Sequence, residues 1–276
     1  MVPLNIWGSL LKTTFLQDGT EVTCLLSSEA LVLDDHVEGY FNHGITIKDH
    51  DVVFDVGANI GIFGIRTLQK GNNIRVFAFE PIPTIFKCLE HNAQRFEDRR
   101  FIPFDCGISS QKGQATFSYY PNSPALSTSK PEQWDEETLI KAVDGSLRNP
   151  PAHMWYIKYL PSFVSKWFAQ RMRKNKEEFT CPLKTLSCVI REHNLNQINL
   201  LKIDCEGAEL ECLEGLSEAD WNKIQQAVIE VHDINNNLSK IQNRLHKMGL
   251  THQITEQEAA LKETNLFNVF AHRGSA

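Results

Sequence analysis

The sequence predicts an α/β protein with a mostly parallel sheet, on three observations. First, from residue 51 onwards short apolar runs alternate with longer segments whose apolar residues recur every three or four positions, the pattern of strands joined by crossover helices. Second, the first apolar run ends in an acidic residue and a glycine-containing turn. Third, the next run also ends in a carboxylate. Ligands of such doubly wound sheets bind at these carboxyl ends of the strands.

Residues 1–50 precede this alternation and are predicted to form a hairpin and lid elements. Thr13–Gln17 and Glu21–Leu26 are rich in β-prone residues and flank Asp18-Gly19, a dipeptide that suits the positive-φ positions of a tight turn. We therefore expect an antiparallel hairpin ahead of the core.

Residues 51–276 are predicted to form the core domain. Apolar runs of strand length lie at Val52–Val56, Ile74–Glu80, Phe101–Ile108, Asn199–Asp204 and Ala227–His232. Helices are predicted at Ile60–Gln69, Thr84–Arg95, Thr185–His193, Ala208–Leu216 and Leu238–Met248. A last β-prone run, Leu266–Ala271, is expected to insert antiparallel at the edge or in the interior of the sheet.

The alternation fails over residues 121–180, which we interpret as a lid inserted into the core. This stretch contains prolines, three tryptophans and the basic cluster Lys166–Lys176. We interpret the cluster as a solvated helix face, with a phosphate-binding patch as the alternative. His153 is a secondary candidate for a catalytic side chain in the lid.

The net charge and the cysteine content indicate which partners and which compartment to expect. With a net charge of −6, the chain lacks the overall positive charge that is typical of a nucleic-acid-binding domain. The seven cysteines form no repeated C-x-x-C pair, so we expect buried thiols in a reducing, cytoplasmic compartment. Met1–Leu11 lacks the pattern of an export signal, and no apolar run approaches the roughly 20 residues needed to cross a membrane. No membrane association is expected.

The strongest local signal is the turn after the first core strand, Val53-Phe-Asp-Val-Gly-Ala-Asn-Ile-Gly61. Gly57 allows the backbone to turn and approach a ligand, and Gly61 allows the helix to pack close to its strand. The motif lacks the three glycines of a dinucleotide-binding loop, and Asp55 suits a cationic sulfonium better than a diphosphate. S-adenosylmethionine is therefore the preferred ligand.

Two further acids extend this predicted site. Glu80 ends the second strand, at about the 20-residue interval at which such folds place a carboxylate on ribose hydroxyls. Asp105 ends the third strand and could bind the adenine amino group, or could equally cap a turn.

Several acids and one histidine are predicted at the ends of the fourth and fifth strands. Asp204 and Glu206 follow the fourth strand, and alternation along the fifth puts Glu230 and His232 on one face. His232 is the first candidate for a general base, with a carboxylate orienting its ring. Asp204, Glu230 and His232 could instead hold a divalent ion, Mg²⁺ or Mn²⁺. Glu209, on the following helix, is interpreted as a favourable first-turn charge.

In their order along the chain these motifs resemble the FkbM family of methyltransferases. The resemblance rests on Asp55-Val-Gly-Ala-Asn-Ile-Gly61, Glu80-Pro81, Leu201-Lys-Ile-Asp-Cys-Glu-Gly-Ala-Glu209 and Glu230-Val-His232. It implies a seven-stranded Rossmann-like class I methyltransferase fold, S-adenosylmethionine as donor and an oxygen acceptor. Tyr119–Asn122 followed by Ser127-Thr128 looks like members of polyketide and polyketide-peptide assembly lines. That likeness implies a hydroxyl, or a carboxyl, of a natural-product or carrier-bound intermediate.

The resemblance also implies a role for each motif. The residues implied to hold the donor are Asp55, Gly57, Asn59, Gly61 and Glu80. Those implied to form the reaction centre are Asp204, Glu206, Glu230 and His232. Two other functions stay open: a nucleotide-dependent oxidoreductase, which the missing third glycine disfavours, and a noncatalytic ligand-binding or carrier-docking module.

Overall fold

The computed structural model describes residues 11–96, 98–149, 152–161 and 163–274. The strands are β1 (Lys12–Phe15), β2 (Glu21–Cys24), β3 (Val52–Val56), β4 (Arg75–Phe79), β5 (Phe101–Phe104), β6 (Gly107–Ile108), β7 (Gly113–Tyr119), β8 (Glu177–Lys184), β9 (Leu200–Ile203), β10 (Gln226–His232), β11 (His252–Glu256) and β12 (Leu266–His272). The helices are α1 (Ser27–Gly39), α2 (Ile62–Gln69), α3 (Pro83–Gln94), α4 (Glu136–Arg148), α5 (Phe163–Met172), α6 (Leu186–Glu192), α7 (Glu209–Glu214), α8 (Glu218–Trp221) and α9 (Asn237–Lys247). All five predicted core helices form.

Seven strands form the central sheet, in the order β11-β12-β10-β9-β3-β4-β5. β12 is antiparallel to both of its neighbours, and the other neighbouring pairs are parallel. This confirms the predicted mostly parallel sheet of seven strands, with the antiparallel strand one place in from the edge. The chain runs outward from β3 to β5 and returns to β9 on the other side of β3. Ligand sites lie at the carboxyl ends of strands beside such a topological switch.

The core strands alternate their side chains between two buried layers. Val53 and Val76 pack with α1, α2 and α3 on one face, whereas Phe54 and Phe77 pack with α6, α7 and α9 on the other. Because both faces are covered, these strands are continuous apolar runs in the sequence. None of the helices in the described part of the chain has the length and apolar character needed to span a bilayer.

The hairpin and α1 are attached to the core through an arginine of α2. β1 and β2 form the predicted antiparallel pair, with Gly19 in the turn at φ 84°. The Arg66 guanidinium donates to both carboxylate oxygens of Asp34 in α1, at 2.7 Å each, and also to Asp18 of the hairpin turn. The sequence analysis does not predict α1, because the apolar residues of this helix do not follow a clear helical spacing.

The predicted strand Phe101–Ile108 is wrong as a single strand. Only β5 pairs in the central sheet; the chain turns at the exposed Asp105, and β6 joins β8 and β7 in a separate three-stranded sheet. Apolar periodicity indicates a strand but does not indicate which sheet the strand joins. The interruption between β5 and β6 therefore cannot be recognised from the sequence. The segment predicted to be a lid lies between β7 and β8, and its predicted end at residue 180 falls within β8. Inside this segment, which we call the lid, α4 packs on α5 through Leu139, Ala142 and Ala169.

Two glycines in the turn after β3 combine positive φ with close contacts. Gly57 has φ 72°, and a Cβ there would lie 1.7 Å from the carbonyl oxygen of Asp204. Gly61 has φ 90°, and its Cβ would lie 2.7 Å from the Leu89 side chain of α3. Glycine at position 57 therefore lets the turns after β3 and β9 approach each other, and glycine at position 61 lets α2 pack against α3.

Gly57→Ala is expected to destabilise the fold more than Gly19→Ala. Both positions have positive φ, which costs an L-residue about 1–2 kcal/mol, but a Cβ at Gly19 would meet no atom within 4 Å. The clash at Gly57 adds about 1–3 kcal/mol. Urea unfolding measures the two losses of free energy, and equal losses would contradict the close approach of the two turns.

Candidate active site

A cavity of about 690 Å³ opens at the carboxyl ends of β3, β4, β9 and β10. Its volume lies in the range of small-molecule binding sites. The wall combines residues from these strand ends with residues of α1 and of the lid. The polar residues of the wall include His36, Tyr40, Asn59, Glu80, Ser127, Lys130, Asn149, Lys202, Asp204, Glu206, Glu230 and Glu258.

Glu80 follows the end of β4 and is fixed by two backbone amides. Its Oε2 accepts a hydrogen bond from the N–H of Asn59 at 3.2 Å, and its Oε1 accepts one from the N–H of Ile82 at 2.8 Å. Asn59 has a positive φ of 50°. Burial raises the pKa of Glu80 to about 7, although the two amides favour its ionised form. The structure thus brings the predicted residues Asn59 and Glu80 together in the cavity wall.

Asp55 lies beneath the turn, fully buried, rather than in the cavity wall. Its Oδ1 is 3.1 Å from the Nζ of Lys202, which also donates to the Gly57 carbonyl at 2.9 Å. The same Nζ lies 3.6 Å from Oδ2 of Asp204. Burial opposes the charge of Lys202, but the two carboxylates outweigh it and raise the pKa of the ammonium group. Lys202 is not among the predicted site residues. The only indication of its role in the sequence is that it is a single cation inside an apolar strand.

His36 and Tyr40 join Asp204 and Glu230 in one cluster. The Tyr40 hydroxyl donates to Oδ2 of Asp204 at 3.0 Å and lies 2.8 Å from Nε2 of His36. The same Nε2 is 3.3 Å from Oε2 of Glu230, and Nδ1 of His36 is 3.1 Å from Oε1 of Glu258. His36 and Tyr40 escape prediction with α1, although their four-residue spacing puts them on one helix face.

The opposite charges of His36 and its neighbouring carboxylates stabilise one another. Burial opposes protonation of His36, but hydrogen bonds with Glu230 and Glu258 raise its pKa well above the usual value. Burial likewise opposes ionisation of Asp204, whereas the charges of Lys202 and His36 hold its pKa below the usual value. At neutral pH the cluster therefore consists of a histidinium among carboxylates, with Asp204 ionised.

His232, the predicted base, lies behind the cavity wall. Its Nε2 is 3.2 Å from Oε2 of Glu206, and its Nδ1 is 3.2 Å from Oε1 of Glu209. Burial opposes its charge, but the two carboxylates raise its pKa well above the usual value. Glu209 lies in the first turn of α7, as predicted, but it is fully buried and its Oε1 also accepts a hydrogen bond from the Gly207 amide at 2.6 Å. His232 is thus the counter-ion of two acids.

Glu206 connects the lid to the turn after β9. Its Oε2 accepts a hydrogen bond from the indole Nε1 of Trp134 at 2.5 Å, and its backbone carbonyl accepts one from the Thr128 hydroxyl at 2.5 Å. Lys130 adds an ion pair with Glu211 of α7 at 2.8 Å. The beginning of the lid is therefore fastened beside the predicted reaction centre.

Of three other predicted residues, two lie away from the cavity wall and the third has a side chain that the structure does not describe. Asp105 is exposed, and the stretch that lines the cavity after it is Gly107–Ser109. Gly61 lies between α2 and α3 rather than in the wall. His153 falls among the residues whose side chains are outside the described part of the structure. Any contact of this region with an adenine ring would therefore come from Gly107–Ser109.

A family model supports the same assignment as the motifs. The model described as the methyltransferase FkbM domain matches residues 55–251, more than half of the chain. This chain belongs to the FkbM methyltransferase family. The match covers the turn after β3, Glu80 and the three acids predicted at the ends of β9 and β10, which are Asp204, Glu206 and Glu230. Family membership favours methyl transfer over the nucleotide-dependent oxidoreductase.

Similar proteins span nearly all of this FkbM-family chain. The 31-O-demethyl-FK506 methyltransferase FkbM of Streptomyces tacrolimicus is 31% identical over 271 residues, which are 96% of this chain and 98% of that protein. The AMB antimetabolite synthetase AmbE of Pseudomonas aeruginosa is 31% identical over 244 residues, 86% of this chain but 11% of the synthetase. A crystal structure of methyltransferase FkbM from Methylobacillus flagellatus KT matches with a TM-score of 0.48 and 15% identity, covering 87% of this chain and 51% of that one.

Lys202→Met is expected to destabilise the protein by about 3–5 kcal/mol, because it leaves Asp55 buried without its cation. The double variant Lys202→Met/Asp55→Asn should recover part of this loss, since the amide carries no charge that needs compensation. Urea unfolding of the single and double variants gives the coupling free energy. A coupling near zero would show that this ion pair does not hold β3 and β9 together.

Proposed function

We propose that this FkbM-family protein is an S-adenosylmethionine-dependent O-methyltransferase that acts on a hydroxyl of a natural-product intermediate, free or bound to a carrier protein. The observation that carries the proposal is a single cavity lined both by Glu80 and by the cluster of His36, Asp204 and Glu230. Glu80 is suited to bind the ribose of the donor, and the cluster of His36, Asp204 and Glu230 is suited to bind a reacting hydroxyl. Two subsites that share one space allow direct transfer between two bound molecules.

The residues of the cavity fit the proposed donor. Glu80 is held by two amides and can accept hydrogen bonds from both ribose hydroxyls. Acidic residues outnumber basic residues in the wall, although burial raises the pKa of Glu206 to about 7. This excess of acids favours a sulfonium cation over a diphosphate. When bound, S-adenosylmethionine supplies an electrophilic methyl group.

Asp204 is the proposed acceptor of the hydroxyl proton. As the new carbon–oxygen bond forms, the proton on that oxygen becomes strongly acidic, so a carboxylate is a sufficient base. The Nζ of Lys202 and the Tyr40 hydroxyl both contact Oδ2 of Asp204, at 3.6 and 3.0 Å. In this proposal Asp204 replaces His232 as the base, and His232 is a positioning residue that acts through Glu206.

The charge of the wall also bears on the acceptor. Carboxylates would repel an ionised acceptor carboxyl group, so a neutral hydroxyl is favoured. Two relatives support a natural-product substrate, since one is named for 31-O-demethyl-FK506 and the other is an antimetabolite synthetase. The matched region is only 11% of that synthetase, so there it is one part of a much larger protein. Another part of such a protein could carry the substrate, and we therefore include intermediates bound to a carrier among the proposed acceptors.

A divalent ion is the second candidate for activating the hydroxyl. Ligand atoms of His36, Asp204 and Glu230 lie within 4.8 Å of one another, so His36 would take the place predicted for His232. To bind a metal it would first have to lose the proton that Glu230 and Glu258 stabilise. Lys202 already brings a positive charge to Asp204, which favours the route without a metal. Turnover with Mg²⁺, with Mn²⁺ and with a chelator separates the two routes, and loss of activity in the chelator would favour the metal.

Glu80→Gln is expected to weaken S-adenosylmethionine and S-adenosylhomocysteine binding about 10- to 100-fold, because a hydrogen bond to a charged group contributes about 1.5–3 kcal/mol. Calorimetry at about pH 8 measures the change, since the Glu80 carboxyl, with its pKa of about 7, is then mostly ionised. Glu90→Gln, at an exposed position of α3, is the matched control and should bind normally. Absence of binding by the folded, unaltered protein would refute the proposed donor.

Asp204→Asn is expected to lower kcat by a factor of about 10²–10⁴, with a smaller change in the Kd of the donor. The assay uses the first hydroxyl acceptor that the unaltered protein turns over, and calorimetry gives the Kd. Asp98→Asn, an exposed residue outside the cavity wall, is the control. Unchanged turnover would exclude Asp204 as the proton acceptor, and equal losses in kcat and donor affinity would assign it to donor binding.

A further inference from the structure

The lid carries an exposed aromatic surface that the proposed reaction does not use. Phe163 and Trp167 of α5 are 71% and 56% exposed, and their four-residue spacing puts them on one helix face. Ser165 and Ala169 are buried on the other face. Among the side chains that the structure describes in α5 and in the preceding 3-10 helix, Ala152–Tyr159, the exposed rings are Tyr156, Tyr159, Phe163, Trp167 and Phe168.

Basic residues lie near these rings along the chain. Residues 148–176 contain seven lysines and arginines and no acidic residue, so the rest of the chain has a net charge of −13. Arg148 and Lys176 pair with flanking acids. Within the described residues the other five form no ion pair: Lys158, Lys166, Arg171, Arg173 and Lys174. We call these five cations and the five rings the basic aromatic face.

α4 connects the basic aromatic face with the cavity. Ser146 and Asn149, at the C-terminal end of α4, line the cavity. Nη1 of Arg148 donates to the carbonyl oxygen of Lys158 at 2.8 Å, and the hydroxyl of Ser165 in α5 donates to Asp144 of α4 at 2.7 Å. A partner bound to this face would therefore be one helix away from the cavity wall.

We infer that the basic aromatic face is the docking surface for an acidic carrier protein that presents the acceptor on a flexible arm. This inference rests on the proposed function, whose acceptors include carrier-bound intermediates. Unpaired cations match a partner surface rich in carboxylates, and aromatic and arginine side chains are enriched at protein interfaces. The negative charge on the rest of the chain repels the same partner and so directs it to this face.

An anionic lipid surface is the other partner that suits exposed rings among cations. Arg171 lies over the ring of Trp167 at 5.8 Å, and Lys158 lies over the ring of Tyr159 at 5.1 Å. In a helix that lies on a membrane, the rings and the cations occupy opposite faces. Here the cations lie over the rings on the same face, and the opposite face of α5 is buried, which favours a protein partner.

The test uses the full chain and a phosphopantetheine-bearing acyl carrier protein with an acidic recognition helix as the probe. The charge reversal Arg171→Glu/Lys174→Glu is expected to raise the Kd of the probe by about 10-fold or more, and added salt should raise it as well. The control Lys240→Glu/Lys247→Glu reverses two exposed cations of α9. It changes the net charge equally and should leave the Kd within about twofold.

Equal effects of the two reversals, or no binding of the carrier by the unaltered protein, would overturn the docking surface. Phosphatidylcholine vesicles containing phosphatidylglycerol serve as a second probe, and binding to them without binding to the carrier would overturn the inference in favour of a lipid surface. Calorimetry with S-adenosylmethionine on the same samples separates the two proposals. Donor binding without carrier binding refutes only the docking surface, whereas no donor binding refutes the proposed function.

Discussion

The active site depends on the buried ammonium group of Lys202. It lies where β3 and β9 end side by side, 3.1 Å from Asp55 and 3.6 Å from Asp204, and it donates to the carbonyl of Gly57. Two carboxylates this close to each other could not both be ionised in a buried environment without a cation between them. One side chain therefore ties the turn after β3 to the end of β9 and favours the ionised form of Asp204 in the cavity wall. The absence of a side chain at Gly57 is the second condition, because it lets the two turns meet.

Most of the central sheet could be predicted because its strands are covered on both faces. A strand such as β3, buried at every residue, is a short continuous apolar run that is easily recognised in a sequence. The prediction fails at Phe101–Ile108 because apolar periodicity contains no information about which sheet a strand joins. It also fails at α1, whose buried residues are few and include the polar Asp34, held by an arginine more than 30 positions away.

The residues that the strand ends contribute to the candidate site are more predictable than those that α1 contributes. Glu80 and Asp204 follow from topology alone, since parallel strands bring their carboxyl ends to one edge of the sheet. Tyr40, in contrast, reaches Asp204 across 164 positions of sequence, and no local pattern reports such a contact. The two-residue alternation of β10 gives the direction of His232 but not the presence of Glu206 between it and the cavity.

The location of α1 has a consequence for how acceptor choice can be altered. The family model begins at residue 55, so His36 and Tyr40 precede the matched stretch although both line the cavity beside it. The turn after β3 and the α1 side of the cavity therefore come from different stretches of the chain, joined by the buried Arg66–Asp34 ion pair and by the hydrogen bond of Tyr40 with Asp204. Val32 and Leu33 of α1 line the same cavity, and substitutions there would change this side of the wall without removing either contact. Under the proposed function, redesign of acceptor choice can thus begin in α1, ahead of the stretch that the family model matches.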